Sequence, residues 1–478
     1  MAKKRDLTKP KTKIIKLPIS KFVDTKYRDY AVYVLEARGI PSFYDGLTTV
    51  QRYILKNSPA GFNKTLSVVG KSIEDGYHHG NSSLEGAINK LARPFGHALQ
   101  ILDGSGFFGT EVSPDPAAAR YTSVKLSPRA NGILNQYKYL TTREEEGPYD
   151  PFWMEVPLGL TTSIVGIAVG YKTTILPRNL NHIKDFFADK RKAVKPYFEG
   201  FEGRIERYKG LPNAWKISSI LDFDNSRKTI KIQEIPPILK YGTVLKKLDQ
   251  VISRFEGNVR IVNNSNITVD IGIVYTGKSL VEWESLKMFV EKSFSMIVNE
   301  NPVFVKDGQV LVYQSIEQYL EDYKWQILRL DFKNKEWEKE KLRGDLEFNE
   351  AKQLFIEFIL QKKRTDVEVT NFLKDYNKET RARLEGLTAR KFTTDEIAFV
   401  KNEIKRLISA NTGKLKELNA ARKEFEANPD PTIERGIGSK KTSANLFDTD
   451  DVEEIDGMVI WDGDDVFETE EKVEDEDE

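Results

Sequence analysis

The stretch Asp75–Ser127, DGYHHGNSSLEGAINKLARPFGHALQILDGSGFFGTEVSPDPAAARYTSVKLS, gathers the one crowded group of chemically capable side chains in a chain of 478 residues. Three of the four histidines, His78, His79 and His97, fall inside it. Two glycine-rich turns follow, Asp103-Gly104-Ser105-Gly106 and Phe108-Gly109, and three alanines then lead into Arg120 and Tyr121. A tyrosine hydroxyl, with an ordinary pKa of about 10, is a weak nucleophile at neutral pH unless cations or a base assist it. An arginine beside it can steady the charge that develops when its oxygen attacks a phosphodiester. Small residues on the approach let another backbone come close. By itself an Arg-Tyr pair reads as a solvated surface dipeptide, and the residues alone give an anion site at most.

Local signals place these groups. Ser82-x-x-Glu85 has the form of a capping box and predicts a helix opening there, with Leu84, Ala87, Ile88 and Leu91 on one apolar face. His78 and His79 then lie on the turn before a helix N-terminus, where free backbone N–H groups favour an anion. Lys64–Ile73 predicts a second amphipathic helix, with Leu66, Val69 and Ile73 set against Lys64, Ser67 and Lys71. That helix suits a DNA groove and an ordinary surface equally. Gly104, Gly106 and Gly109 permit tight turns with positive φ.

Taken together, YHHGNSSL, DGSGFFGT and AAARYTSVKLS resemble the DNA-cleavage core of the type IIA topoisomerases. That family carries Tyr-His-His-Gly or His-Pro-His-Gly, a Gly-x-Phe-Gly turn and Ala-Ala-x-Arg-Tyr in this order. The resemblance implies that Tyr121 is the nucleophile and that Arg120 and His79 assist at the phosphate. His78 is implied to be structural, and His97 receives no role. Upstream, Ile40–Leu55, IPSFYDGLTTVQRYIL, is similar to the family's IP-x-x-x-DGLKP-x-QR-x-x-L. It implies a cation at the scissile phosphate from Arg52; an arginine that merely decorates a helix is the plain alternative. Thr48-Thr49 stand where the family carries Lys-Pro.

Downstream, GIAVG at 166–170 and then Pro177-Arg178-Asn179 resemble the segment whose isoleucine wedges between base pairs and bends the duplex. Ile167 is the implied wedge; a buried strand residue is the plain alternative. Pro196–Gly203, PYFEGFEG, resembles the family's tower motif. Short β-rich runs follow over Lys228–Glu234, Asn258–Val262 and Ile267–Tyr275, and IQEIPPILKYGTVLKKL reads as strand, proline turn and helix. Lys64, Lys71, Lys125 and Arg204 are the expected contacts to DNA phosphate.

From Ile316 the spacing changes. Ile316, Leu320, Tyr323, Ile327, Leu330, Asn334 and Trp337 alternate steps of four and three, a heptad seam. Ile397, Val400, Ile404 and Leu407 begin a second, with Thr393-x-x-Glu396 as its cap. The expected architecture is mixed α/β and multidomain. A basic arm covers 1–20, and a winged-helix-like cleavage domain, opened by a helix between Lys21 and Arg38, covers 21–180. An α/β tower covers 181–315. A long antiparallel coiled coil with a small helical dimerisation domain covers 316–426, and a linker with a disordered acidic tail covers 427–478.

Composition narrows the classes. With no cysteine, disulfides, thiolate metal sites and a cysteine nucleophile are excluded, which suits a reducing cytoplasm. No apolar run approaches the roughly 20 residues of a membrane span. The formal net charge of zero hides an asymmetry: Asp448–Glu478 holds 17 acidic residues and one lysine, a charge of −16, so residues 1–447 carry +16. A basic body with an acidic tail suits a protein that handles a polyanion. The tail's Val459, Ile460, Trp461, Val466 and Phe467 make it a docking peptide or an inert solvated segment. No phosphate-binding loop and no Asp-x-Asp among apolar strands is found. Magnesium and ATP are therefore expected to be bound by partner subunits, with this chain homodimeric on double-stranded DNA. The brevity of the chain and its YHHG are most similar to bacteriophage members of the family. Relaxation, decatenation and unknotting are expected, without supercoiling by wrapping. Two rivals keep the basic body: an architectural DNA-bending protein, which has no use for Tyr121, and a tyrosine recombinase, whose Arg and His constellation differs.

Overall fold

The computed structural model describes residues 18–22, 26–35, 39–140, 151–361, 365–388, short helical stretches between 402 and 413, Thr432 and 459–461. Most of the basic arm, the Thr393 cap, most of the second heptad run and most of the linker and tail lie outside the described residues.

Of the segment expected as one helix between Lys21 and Arg38, the described residues include the end of α1 (Ile19–Phe22) and α2 (Arg28–Val34). Next comes α3 (Thr49–Asn57), capped where the sequence departs from Lys-Pro: the Thr48 backbone N–H donates to Gln51 Oε1 at 2.9 Å. After β1 (Asn63–Lys64), α4 (Thr65–Glu74) buries Thr65, Val68, Val69 and Ser72. Leu66 and Ile73 are exposed, so the predicted apolar side is corrected. Two hydroxyl residues can line the buried side because each finds a partner: Ser72 Oγ donates to Val68 O at 2.8 Å, and Thr65 Oγ1 lies 2.7 Å from Thr122 Oγ1. The capping box is also corrected. Helix α5 (Asn81–Ala92) is opened by Gly80 with no side-chain cap, and Ser82 lies inside its first turn. Its apolar face of Leu84, Ile88 and Leu91 is buried as expected.

Strands β2 (Leu102–Ser105) and β3 (Ser123–Leu126) complete an antiparallel sheet in the order β1-β3-β2, and Ser127 caps α6 (Pro128–Asn135). A hairpin of β4 (Ile164–Ala168) and β5 (Tyr171–Ile175) leads to α7 (Leu180–Phe187), capped by Asn179. One hydrophobic core joins all of these from α3 onward. It includes Ile183, Phe186 and Val194, so the first unit runs past the boundary expected at 180.

The next unit has two four-stranded sheets. β6 (Arg204–Arg207), β7 (Ala214–Ser218), β8 (Leu221–Asp224) and β9 (Thr229–Ile232) precede α8 (Tyr241–Arg254). β10 (Val259–Asn263), β11 (Ile271–Tyr275), α9 (Leu280–Ser293) and β12 (Ser295–Asn299) follow. The three predicted β-rich runs thus become β9, β10 and β11, and the strand, proline turn and helix become β9 and α8. One sheet has the order β10-β11-β9-β8; the other places β12 beside β7 and β7 beside β6. Both share a single core with α8 and α9.

The hairpin β13 (Val303–Lys306) and β14 (Gln309–Val312) then returns to the first unit, although its residues were expected in the tower. The Phe304 ring stacks on Tyr319 with centroids 3.9 Å apart. Tyr319 lies on α10 (Ile316–Gln361), a helix of 46 residues and so about 69 Å long. The first half of the heptad seam, Ile316, Leu320 and Tyr323, is buried in the first unit's core rather than against a second helix. Heptad spacing reports which face is apolar and says nothing of what covers it. The far end of α10 packs with α11 (Asp366–Leu373), opened by a Thr365–Glu368 capping box, and α12 (Lys378–Thr388) around Phe355, Leu373 and Leu384. Finally β15 (Val459–Trp461) pairs in parallel with β12.

Candidate active site

Tyr121 sits on the loop that enters β3 and is 68% exposed. Its backbone N–H donates to Ala118 O at 2.8 Å, closing the turn that the alanines begin. The next residue anchors the loop. Thr122 is fully buried, its hydroxyl against Thr65, and Thr65 N–H donates to Thr122 O at 3.1 Å. The nucleophile candidate is thereby fixed to the N-terminus of α4. Gly106, at φ +108°, packs so closely on this loop that a Cβ would sit 3.3 Å from Tyr121 O. At Gly109, φ +89°, a Cβ would come 2.5 Å from Pro114 O. The exposed guanidinium of Arg120 lies 5.3 Å from the Tyr121 ring centre.

His78 and His79 lie on the turn before α5, whose first N–H groups no side chain caps. His78 Nδ1 is 3.0 Å from Gly76 O and its Nε2 is 2.6 Å from Tyr33 Oη. A carbonyl only accepts, so His78 Nδ1 is the donor in the bond to Gly76 O. The half-buried His79 lies 3.4 Å from the same hydroxyl through Nε2, with its ring at the edge of Tyr77 at 5.4 Å. Sequence reasoning missed Tyr33. Its only signal was an aromatic residue on the outer side of a short helix, and nothing local ties α2 to a turn 45 residues away.

Arg52 is corrected. It is 7% exposed, with Nε 3.1 Å from Asp45 Oδ2 and Nη2 donating to Leu47 O. Asp45 is fully buried and accepts from the N–H groups of Leu47 and Phe152. Burial pushes the Asp45 carboxyl up, against the pull of Arg52. The arginine therefore secures the turn at Asp45-Gly46-Leu47 and is not an open cation.

Ile167 is 50% exposed near the tip of the β4–β5 hairpin, which overturns the buried alternative. Two glycines seat that hairpin on the end of the segment after α2: a Cβ on Gly166 would lie 1.8 Å from Gly39 O. Arg178, in the neighbouring motif, is 1% exposed. Its Nη2 is 2.6 Å from Glu300 Oε2, and it donates also to Val194 O and Leu176 O. Glu300 further accepts from Trp215 Nε1 and the Leu176 N–H.

Lys64 and Lys71 are exposed at the two ends of α4, and Arg204 is exposed on β6. Lys125 lies 3.6 Å from Asp103 Oδ2 and over the Phe62 ring. His97 is buried; burial and the nearby Arg93 lower its pKa to about 4, so it stays neutral. Among the described residues no group of three or more His, Cys, Asp or Glu converges as a metal site. No described helix is long and apolar enough to cross a membrane.

An exposed tyrosine with an adjacent guanidinium, a histidine turn before a helix and an exposed isoleucine on a Gly-bounded hairpin are the chemically capable groups that the described residues present. A family model of the A subunit of DNA gyrase/topoisomerase IV matches residues 38–428, and the chain belongs to that family. It is 28% identical over 244 residues to the DNA topoisomerase medium subunit of Enterobacteria phage T4, covering 48% of this chain and 54% of the relative. The DNA gyrase A subunit of Haloquadratum walsbyi is 33% identical over 35% of this chain and 21% of its own length. DNA topoisomerase 2 of Meyerozyma guilliermondii is 26% identical over 74% of this chain and 26% of its own. The chain thus spans about half of the phage relative and smaller shares of the others. The fold is shared with the DNA-binding, cleavage and re-ligation domain of Plasmodium falciparum topoisomerase II, at a TM-score of 0.66 and 19% identity, over 85% of this chain and 65% of that one.

Proposed function

We propose that this chain is the DNA-cleaving and rejoining subunit of an ATP-dependent type II topoisomerase. The observation that carries the reading is the presentation of Tyr121: exposed, beside Arg120, on a loop fixed by Thr122 and Gly106. The Tyr121 oxygen attacks a backbone phosphorus and the bond to the 3′ oxygen breaks. A 5′-phosphotyrosyl end and a free 3′ hydroxyl result, one pair from each protomer of a homodimer. The link keeps the phosphodiester's energy, so resealing is the reverse step. Arg120 offers fixed donors to the charge that develops on the phosphate. His79, held at the turn before α5, is the proposed second donor.

The helices α3–α5 with the β1-β3-β2 sheet form the winged-helix-like element of this proposal, with Lys64, Lys71 and Lys125 facing phosphate. Ile167 is its wedge, and Arg204 holds a flank of the bent duplex. Helix α10 belongs to the coiled-coil exit of this proposal. Magnesium and ATP are assigned in this proposal to partner subunits of the assembly, working in the host cytoplasm.

The test is cleavage of end-labelled duplex by the chain with its partner subunits and magnesium, stopped with detergent. Wild type becomes attached to 5′ ends and Tyr121→Phe does not. Attachment by neither, with DNA still bound and bent, would transfer the reading to an architectural role.

A further inference from the structure

Tyr33 reaches the histidine turn from α2, 45 positions before His78 in sequence. Its ring lies within 12° of parallel to that of His78 and tilted to that of His79, with centroids 6.2 and 6.1 Å away. The polar contact runs through the hydroxyl: Oη is 2.6 Å from His78 Nε2 and 3.4 Å from His79 Nε2. The two imidazoles are themselves 4.8 Å apart, so one hydroxyl serves both.

The backbone of the turn is held by other groups. Tyr77 is 5% exposed; its N–H donates to Ser72 O at 3.0 Å and its hydroxyl to Ser83 Oγ at 3.1 Å. Gly76, at φ +104°, supplies the left-handed step that leads out of α4. The Tyr33 hydroxyl adds to this a hold on the two imidazole side chains, from a ring that is itself 40% exposed.

A phenol has one proton to give and lone pairs with which to accept. His78 Nδ1 donates to Gly76 O at 3.0 Å, so in neutral His78 the other nitrogen, Nε2, is an acceptor and takes the hydroxyl proton. The lone pairs of the phenol oxygen are then left for a donor, and His79 Nε2 lies within their reach. The ring torsion of a histidine is broad and roughly two-fold when nothing fixes it. A hydroxyl whose direction is set by His78 commits the Nε2 edge of His79 to α2 and turns the edge that carries Nδ1 away from it.

We propose that Tyr33 is a positioning residue for DNA cleavage: its hydroxyl, directed by His78, holds His79 in the one ring orientation that offers the Nδ1 edge to phosphate. His78 thereby acts through Tyr33, without touching phosphate itself. The proposal rests on the reading of this chain as the DNA-cleaving subunit, with His79 as a donor to the phosphate.

The test is single-turnover cleavage of end-labelled duplex by the full chain with its partner subunits and magnesium, with duplex affinity measured on the same proteins. Wild type, Tyr33→Phe, His79→Ala and the double variant are compared. Tyr33→Phe keeps the ring and loses only the hydroxyl; it should bind duplex within about twofold of wild type and cleave about tenfold more slowly. Resealing should slow by the same factor, because a group that acts on the transition state alone serves both directions. In the His79→Ala background the loss of the hydroxyl should cost less than about twofold, since the ring that it orients is gone. A wild-type cleavage rate in Tyr33→Phe overturns the proposal. So does an equal slowing in both backgrounds, which would route the effect of Tyr33 through some other group. A fall in duplex affinity with the cleavage step unchanged overturns it too and makes Tyr33 a binding contact. His79→Ala cleaving at the wild-type rate removes the histidine's role and that of Tyr33 together, while attachment through Tyr121 stands. Wild type that never becomes attached to 5′ ends overturns the DNA-cleaving reading itself, and the proposal falls with it.

Discussion

Two arginines in this chain sit in motifs that resemble one family, and they do opposite work. Arg120 is exposed, touching little besides the ring of Tyr121. Arg178 is sealed where the first unit meets the second, bonded to Glu300 and two carbonyls. Arg52 belongs with Arg178, since Asp45 holds it in the interior. A motif therefore mixes residues that meet a ligand with residues that keep the backbone in place for them. Burial separates the two: a lone guanidinium in the interior needs a partner, while one in water does not.

The comparison breaks most visibly at Tyr121. Tyr121→Phe removes one oxygen from an exposed ring, so the unfolding free energy from urea titration should stay within about 0.5 kcal/mol of wild type. Covalent attachment to DNA should fall by about 10⁴-fold or more, as when a nucleophile is removed. A large loss of stability would place Tyr121 among the structural residues.

Arg178→Met is the mirror case. Removing one member of a buried pair costs about 3–5 kcal/mol. Adding Glu300→Leu should not restore it, because Trp215 Nε1–H and the Leu176 N–H would lose their acceptor. Urea unfolding of the single and double variants measures this. Full recovery in the double variant would show that Glu300 serves Arg178 alone.

Arg120→Ala comes next. Loss of a preorganised donor to a developing charge costs about 10²–10³ in rate. Stability should be unchanged, because the guanidinium is exposed. Single-turnover cleavage of a duplex with the partner subunits separates the two readouts; equal loss in binding and rate would make Arg120 a binding cation only.

His97 sharpens the buried side through pH. Folded, its pKa is lowered to about 4, against 6.5 for an ordinary histidine, by burial first and Arg93 second. Above pH 6.5 both states are neutral and its contribution to stability is complete. As pH falls from 6.5 towards 4, the unfolded chain takes up a proton that the folded chain refuses, and up to about 3 kcal/mol is lost. Between pH 7 and 4.5, His97→Gln should therefore lose less stability than wild type. Parallel losses would mean that other groups set the acid limb.

Local patterns carried much of this fold. The apolar stripe of α5, the strand, proline turn and helix at β9–α8, and the long helix from Ile316 were legible because periodicity and turn residues act within one element. The loop that presents Tyr121 was legible because Arg120 and Tyr121 are adjacent in sequence and alanines lead into them. Long-range partners were not. Asp45 and Phe152 meet across 107 positions, Arg178 and Glu300 across 122, and Gly39 needs Gly166 for its packing to make sense. The side of α4 was misjudged because hydroxyls at Thr65 and Ser72 look polar until their partners are seen.

The smallest expected effect on the fold belongs to Ile167, and it tests whether exposure of an apolar residue marks a task. Ile164, three residues earlier on β4, is 3% exposed and anchors the hairpin in the core. Ile167 points the other way, beside Gly166, whose contact with Gly39 holds the strand at a fixed height. Its truncation leaves no interior cavity, so Ile167→Ala should change stability by less than about 0.5 kcal/mol. If the side chain wedges a base step, the same variant should bind duplex but bend it less, because the unstacking is stabilised only by the inserted group. Energy transfer between dyes at the two ends of a short duplex reads the bend directly. Equal bending by wild type and variant would remove Ile167 from the DNA surface and leave its exposure without a role.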